Sequence, residues 1–194
     1  MDYVVIFLGV MIFGLQHSGV SAFRIKNRII DRWGKEGYAR LFTTTSILSI
    51  LVAFLTMNYW DWFYFIIDPS LVNLPLFITG AFLVAFGLVV TTMASRVISV
   101  STVADMRTDR EPELVTGGIY SRTRHPLYLA TIVLLLGAAA IYPFDRVIVF
   151  SLVLSTYVLI GAYLEERKLV AVYGQRYLEY RKKAGFMFPR IRNV

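Results

Sequence analysis

Polar side chains that could bind a ligand are concentrated in two short segments of an otherwise apolar chain. The first is residues 118–128, which read GIYSRTRHPLY, and the second is the pair Glu165-Glu166. Together they supply an imidazole, guanidiniums, phenols and carboxylates beside long apolar stretches. Such groups are costly next to a membrane, and those found there usually have a function. The two segments therefore predict a ligand or reaction site at a membrane boundary.

The elements that must position these segments are apolar helices. Of the 194 residues, 57% are hydrophobic and only 17% are charged, whereas a soluble domain carries about a quarter charged residues. Apolar runs of a length that suits membrane helices are residues 4–16 with their flanks, 41–60, 71–95, 127–142 and 147–163. The sequence predicts an all-α polytopic membrane protein with five transmembrane helices, in one domain spanning residues 1–194. The last two helices, separated by Pro143-Phe144-Asp145-Arg146, are predicted to form a helical hairpin.

The basic residues support this topology. Nineteen of the 20 Lys and Arg residues fall in the segments after spans one, three and five, and only Arg146 lies elsewhere. Cytoplasmic loops carry the excess of Lys and Arg, so the N-terminus is predicted outside and the C-terminus in the cytoplasm. The net charge of +7 is explained by topology, and no nucleic-acid partner is expected.

Several kinds of chemistry are disfavoured by the composition. The chain has no cysteine and only two histidines, His17 and His125, so we expect no disulfide, no thiolate and no bound metal. No serine or threonine stands in a nucleophile motif. The remaining possibilities are ligand binding and reactions that depend on positioning.

Helix geometry brings the two polar segments together. Proline favours the first turn of a helix, so Pro126 places Arg124 and His125 at the start of span four. Glu165-Glu166 lies at the cytoplasmic end of span five. A hairpin of spans four and five sets this end beside the start of span four. Adjacent helical residues point about 100° apart, so one glutamate is expected to face the bundle and the other to face water or a basic residue.

The C-terminal region predicts an amphipathic helix on the cytoplasmic side. Residues 163–183 carry apolar and aromatic side chains at helical spacing, with basic residues on the other faces. Gly174 interrupts the pattern and allows a bend. The tyrosines of this helix are interpreted as packing residues.

These motifs resemble the isoprenylcysteine carboxyl methyltransferase family. The resemblance is carried by LVTGGIY at 114–120, RHPLY at 124–128, Glu165-Glu166, and Tyr173-Gly174 followed by Tyr177 and Tyr180. It covers roughly residues 105–190, and the five spans are similar to a compact prokaryotic member of the family. It implies a multi-pass protein of a prokaryotic cell membrane that binds S-adenosyl-L-methionine on the cytoplasmic side and releases S-adenosyl-L-homocysteine.

The resemblance also implies roles for individual residues. Glu165 would bind the cofactor's ammonium group or a ribose hydroxyl, and no catalytic base is assigned because methyl transfer depends mainly on positioning. The other implied cofactor-binding residues are Asp105, Glu113, Leu114, Val115, Tyr120, His125, Pro126, Leu127 and Tyr128. The expected acceptor is a lipophilic small molecule or a lipid-modified group among the membrane lipids, as in carboxyl methylation of prenylcysteine. However, Gly161 occupies the position where the eukaryotic enzymes are expected to carry a substrate-binding arginine, which argues against prenylcysteine itself.

Two alternatives remain open from the sequence. Sterol reductases resemble the same Arg-His-Pro-x-Tyr region and use NADPH, whose 2′-phosphate could bind Arg107, Arg110, Arg122 and Arg124. Sterol reductases have a larger fold, so the short chain argues against this alternative. The second alternative is a non-catalytic lipid-binding membrane protein.

Overall fold

The computed structural model describes residues 2–57, 59–97 and 114–190, and within these ranges it is helical without strands. The helices are α1 (Asp2–Ser21), α2 (Phe23–Phe54), α3 (Tyr64–Ile67), α4 (Leu74–Ser95), α5 (Pro126–Ile141), α6 (Asp145–Tyr173) and α7 (Gln175–Lys183). Short 3₁₀ helices cover Tyr59–Phe63, Pro69–Leu71 and Gly118–Ser121. The predicted all-α fold is confirmed for these residues.

Four helices are long and apolar enough to cross a membrane. These segments are Tyr3–Ser21, Arg24–Phe54, Leu74–Ser95 and Asp145–Tyr173. They expose large apolar side chains on their outer faces, as a bilayer requires; Leu15 and Phe82, for example, are each 70% exposed. Helix α5 is apolar but has only 16 residues. The architecture fits a multi-pass membrane protein, and the count of five spans with a terminal hairpin stays a prediction.

Contacts between neighbouring helices connect α2, α1, α6, α5 and α4 in that order. Helix α1 runs antiparallel to α2, since Gln16 donates from Nε2 to Thr45 Oγ1 at 2.6 Å while Gly9 lies against Ala53. It runs parallel to α6, because Tyr3 contacts Asp145 near both helix starts and Ser18 contacts Tyr157 further along. Three residues separate the end of α5 from the start of α6.

Glycines allow α4 and α5 to pack with their backbones in contact. A Cβ atom added to Gly80 would lie 2.7 Å from the carbonyl oxygen of Gly137, and one added to Gly137 would lie 2.9 Å from the carbonyl oxygen of Gly80. Gly87 likewise accommodates Leu134. Membrane helices associate through such close van der Waals contacts, because lipid gives little hydrophobic force between helices. This packing fixes α5, at whose start the Arg-His-Pro motif lies.

The structure corrects the sequence interpretation of two segments, residues 22–40 and residues 163–183. The basic connector at residues 22–40 is helical and belongs to α2, with non-helical backbone at Gly34, where φ is 71°. The single amphipathic helix predicted over residues 163–183 is wrong, because the chain reverses at Gly174, where φ is 54°. Glycine adopts this left-handed conformation without a steric penalty. As a result, α6 ends at Tyr173 and α7 folds back toward the end of the bundle.

Candidate functional site

The start of α5 is held by the C-terminal segment 184–188, which we call the strap. The backbone N–H groups of Arg124 and His125 donate to the carbonyl oxygens of Gly185 and Phe186, at 2.9 and 3.0 Å. Thr123 Oγ1 donates to the carbonyl oxygens of Phe186 and Met187 at 3.1 and 2.8 Å. Pro126 occupies the first turn of α5, where its missing N–H leaves no unpaired donor. The strap therefore sets the orientation of the motif's backbone.

Glu166 is the centre of a buried polar cluster. Its side chain is 9% exposed, and Arg124 binds it through two bonds, Nε to Oε1 at 2.9 Å and Nη2 to Oε2 at 3.1 Å. His125 Nε2 lies 2.8 Å from Oε1, and Arg181 Nε lies 3.3 Å from Oε2. Paired, charge-assisted bonds of this kind are among the strongest in proteins. The cluster joins α5, α6 and α7 at one end of the bundle.

Two tyrosines of α7 complete the cluster through their hydroxyl groups. Tyr177 donates to Glu166 Oε1 at 2.5 Å, and Tyr180 donates to the carbonyl oxygen of Tyr120 at 2.5 Å. Burial, reinforced by Glu166, raises the pKa of Tyr177 well above 10, and burial raises the pKa of Tyr180 to about 12. Both phenols therefore remain protonated donors at neutral pH. They are more than the packing residues that the sequence predicted.

Glu165 has a different environment from its neighbour. Its side chain is 40% exposed and lies 3.8 Å from His125 Nδ1, on the side opposite the bond to Glu166. The phenols of Tyr120 and Tyr128 both interact electrostatically with this carboxylate. Burial and the charge of Glu165 raise the pKa of Tyr120 to about 12. A partly exposed carboxylate among two phenols and an imidazole suits a ligand that carries a positive charge.

The structure brings most of the predicted site residues to this end of the bundle. Tyr120, His125 and Pro126 are buried, and Val115, Leu127, Tyr128 and Glu165 are half-buried. Leu114 is buried against Tyr177, Tyr180 and Ala184. Asp105 and Glu113 lie outside the described residues. Within the described ranges, no three acidic or histidine side chains are grouped as a metal site would require.

Comparison with known proteins identifies the family to which this chain belongs. A model of the phospholipid methyltransferase family matches residues 75–176, which is more than half of the chain. The chain belongs to the phospholipid methyltransferase family. The matched region begins at the second residue of α4 and ends just inside α7, so it contains the Arg-His-Pro motif and both glutamates.

Curated relatives of this family member are methyltransferases. A methanethiol S-methyltransferase from Pseudomonas deceptionensis is 32% identical over 74 residues, which cover 38% of this chain and 28% of that protein. A methanethiol S-methyltransferase from Bradyrhizobium diazoefficiens is 31% identical over 83 residues, covering 43% and 28%. The protein-S-isoprenylcysteine O-methyltransferase of Schizosaccharomyces pombe is 34% identical over 94 residues, covering 48% and 40%. The resemblance to the isoprenylcysteine carboxyl methyltransferase family is thus confirmed.

The matches span well under half the length of these relatives, between 28% and 40%. No solved structure matches the chain. The family membership of the chain therefore rests on sequence similarity.

Sequence reasoning missed four members of the cluster in this phospholipid methyltransferase family protein. In the sequence interpretation, Arg124 has a role only in the reductase alternative and Glu166 has none, while Tyr177 is a packing residue and Arg181 is one of the basic residues after span five. Arg124 and Glu166 carried a signal, since each adjoins a predicted site residue. Tyr177 belongs to a motif that carries the family resemblance, but the sequence places neither Tyr177 nor Arg181 beside Glu166, because only the chain reversal at Gly174 brings α7 against it.

Proposed function

We propose that this protein is a membrane methyltransferase that uses S-adenosyl-L-methionine and methylates a lipophilic acceptor. Membership of the phospholipid methyltransferase family supports a methyl-transfer reaction. The named activities of the relatives, on methanethiol and on isoprenylcysteine, support a small or lipid-linked acceptor. The distribution of basic residues supports a site on the cytoplasmic side, with the N-terminus outside.

The environment of Glu165 is the observation that carries this proposal. S-adenosylmethionine carries an ammonium group and a sulfonium, and both favour a nearby anion and aromatic faces. Glu165 is the accessible carboxylate of the site, whereas Glu166 is saturated by four side chains. In the proposed site, Glu165 binds the ammonium group and the rings of Tyr120 and Tyr128 border the cation.

The other predicted residues have supporting roles in the proposed site. Bound S-adenosylmethionine would supply the methyl group on an activated sulfur. Leu114 and Val115 line the apolar part of the site, and His125 positions Glu165 while it is itself held by Glu166. Pro126 and Leu127 lie in the first turn of α5, directly after His125. Asp105 and Glu113 are retained as proposed cofactor contacts outside the described residues.

Methyl transfer in this site requires positioning and exclusion of water more than proton transfer. An acceptor that arrives as an anion, such as a thiolate or carboxylate, needs no base because its lone pair is already available. The site therefore works by holding donor and acceptor in line, which can contribute a large part of a rate enhancement. No residue of the chain is assigned as a general base.

Binding of S-adenosylhomocysteine to the detergent-purified protein tests the proposal. We expect saturable binding by calorimetry, and Glu165→Ala to weaken it roughly ten- to hundredfold through loss of a charge-assisted hydrogen bond. Glu179→Ala is the matched control, because Glu179 is an exposed glutamate on α7. NADPH is titrated in parallel. If the protein binds NADPH and does not bind S-adenosylhomocysteine, the reductase alternative replaces this proposal.

A further inference from the structure

An open cavity of about 590 Å³ lies at the same end of the bundle as Glu166, beside the strap. Its walls come from three segments: the residues ahead of the Arg-His-Pro motif, the end of α7 and the residues that follow the strap. The lining residues are Ser121, Arg122, Lys183, Pro189 and Arg190. Small-molecule sites in proteins have volumes of about 300–1,000 Å³, so this cavity has room for a ligand. None of its lining residues is among the proposed cofactor contacts.

Hydrogen bonds to backbone carbonyl groups fix the walls of this cavity. The carbonyl oxygen of Arg122 accepts a bond from the N–H of Gly185 at 3.0 Å, which joins the segment ahead of α5 to the strap. Arg190 Nη1 donates to the carbonyl oxygen of Lys182 at 2.7 Å, which joins the residues after the strap to α7. A guanidinium has several further N–H donors, so Arg190 can bind a ligand while it keeps this bond.

The cationic side chains of the cavity lack acidic partners. Within the ranges that the structure describes, Arg122, Lys183 and Arg190 form no ion pair. Along α7, the acidic residue nearest to Lys183 is Glu179, four residues before it, and no ion pair joins the two. The positive-inside rule accounts for basic residues at this end of the bundle, but not for three of them around one cavity. A cleft lined by charges of one sign concentrates counter-ions, so this cavity favours an anion.

The types of lining side chain favour a phosphate group among anions. Arginine presents a planar fork of N–H donors that matches the oxygen atoms of a phosphate, and lysine binds the same group as a point charge. Ser121 adds a hydroxyl to the wall. A phosphate carries oxygen atoms on all sides and can therefore meet donors from several walls at once, whereas a carboxylate is flat and presents fewer.

Phe188 indicates that the cavity lies close to the membrane surface. It directly precedes Pro189, and 72% of it is exposed. Exposed apolar side chains next to basic ones are typical of segments at the boundary between lipid chains and head groups. Basic pockets at the cytoplasmic side of membrane proteins bind the head groups of anionic lipids. Free phosphate presents the same oxygen atoms, and binding measurements distinguish these two sources.

We propose that the cavity lined by Ser121, Arg122, Lys183 and Arg190 is a binding site for a phosphate group. The bound phosphate bridges the segment ahead of α5, the end of α7 and the residues after the strap, and so stabilises the strap between them. This inference goes beyond the proposed methyltransferase function and does not depend on it, because phosphate binding requires neither the cofactor nor the acceptor.

Titration of phosphate compounds into the delipidated, detergent-purified protein tests the site. Calorimetry compares inorganic phosphate, dihexanoyl phosphatidylglycerol and dihexanoylglycerol, which lacks the phosphate. Ionic strength is kept constant, because salt screens exposed charges. We expect saturable binding of a phosphate compound and none of dihexanoylglycerol. Tighter binding of phosphatidylglycerol would identify a lipid head group as the source, and equal or tighter binding of inorganic phosphate would identify free phosphate.

Single substitutions show whether the cavity is where the phosphate binds. Arg122→Gln and Lys183→Gln should each weaken binding about tenfold, which is the effect expected for loss of one charge-assisted contact. Arg176→Gln is the matched control, because Arg176 is an exposed cation of α7 that does not line the cavity. The unfolding temperature without phosphate should be the same in all three variants. Absence of phosphate binding by the wild type would overturn the site, as would equal binding by Arg122→Gln, Lys183→Gln and the control.

Discussion

Glu165 and Glu166 are adjacent in the chain but have opposite environments. Glu166 is enclosed by Arg124, His125, Tyr177 and Arg181, whereas Glu165 keeps 40% of its side chain exposed. The difference follows from the rotation of about 100° per helical residue. One carboxylate stabilises the end of the bundle, and the other remains available to a ligand.

Replacing Glu166 should mainly affect stability. We expect Glu166→Ala to lower the free energy of unfolding by about 3–5 kcal/mol, because it leaves Arg124 and His125 buried without their anion. Unfolding of the detergent-purified protein, followed by circular dichroism, measures this loss. Glu165→Ala should reduce stability far less. Equal losses in the two variants would contradict the separate roles.

The hydroxyl of Tyr180 should make stability depend on alkaline pH. Its pKa is about 12 in the folded protein and 10.0 for the free side chain. The folded state therefore keeps the proton while the unfolded state loses it. The contribution of the Tyr180 hydroxyl to the free energy of unfolding is complete below pH 10 and is lost as the pH rises toward 12. Unfolding measurements should show the stability difference between wild type and Tyr180→Phe falling over this range. A constant difference would argue against the buried donor.

At the scale of elements, the site depends on two features that hold α5 in place. The strap binds the backbone ahead of α5, and glycines let α4 pack directly against the helix itself. Both determine where His125 and Tyr128 lie, and changes in either are expected to disturb the site indirectly.

The contact between α4 and α5 can be tested by adding one methyl group. Gly137→Ala places a Cβ 2.9 Å from the Gly80 carbonyl oxygen and 3.0 Å from the Val84 nitrogen, so the helices must separate. Overpacking of this kind costs about 1–3 kcal/mol. Thermal unfolding in detergent should show the loss, while Gly19→Ala, with open space around it, serves as the control. Unchanged stability of Gly137→Ala would mean that the helices are not in backbone contact.

At the scale of the whole molecule, the arrangement of the helices predicts which ends face the cytoplasm. Helix α1 runs parallel to α6 and antiparallel to α2, and Asp145, at the start of α6, lies at the end of that helix opposite Glu165 and Glu166. Basic residues gather at the site end, which the positive-inside rule assigns to the cytoplasm. The number of spans and their orientation remain predictions.

Single cysteines can test this topology, because the chain contains none of its own. Ser70→Cys and Asp145→Cys should react with a membrane-impermeant maleimide in intact cells. Lys182→Cys should react only after the membrane is permeabilised. Labelling at position 145 checks specifically whether the 16-residue helix α5 crosses the membrane. Failure of position 145 to react while position 70 does would argue against five spans.

Local sequence patterns are enough to indicate the helical class, the approximate helix positions and the segments that carry polar side chains. These properties are local: apolar runs indicate membrane helices, and Pro126 marks a helix start through its own backbone geometry. The family resemblance was likewise contained in short contiguous motifs. For this reason the sequence alone points to Tyr120, His125, Tyr128 and Glu165 as members of one site.

The tertiary structure decided which glutamate is buried and which side chains surround it. Residues 166 and 177 in one straight helix would lie roughly 16 Å apart along its axis, yet Tyr177 donates to Glu166 at 2.5 Å. The reversal at Gly174, the strap and the contact of Ser18 with Tyr157 all join residues that are distant in sequence. Periodicity cannot predict such contacts, because they depend on how whole helices pack and not on the properties of one segment.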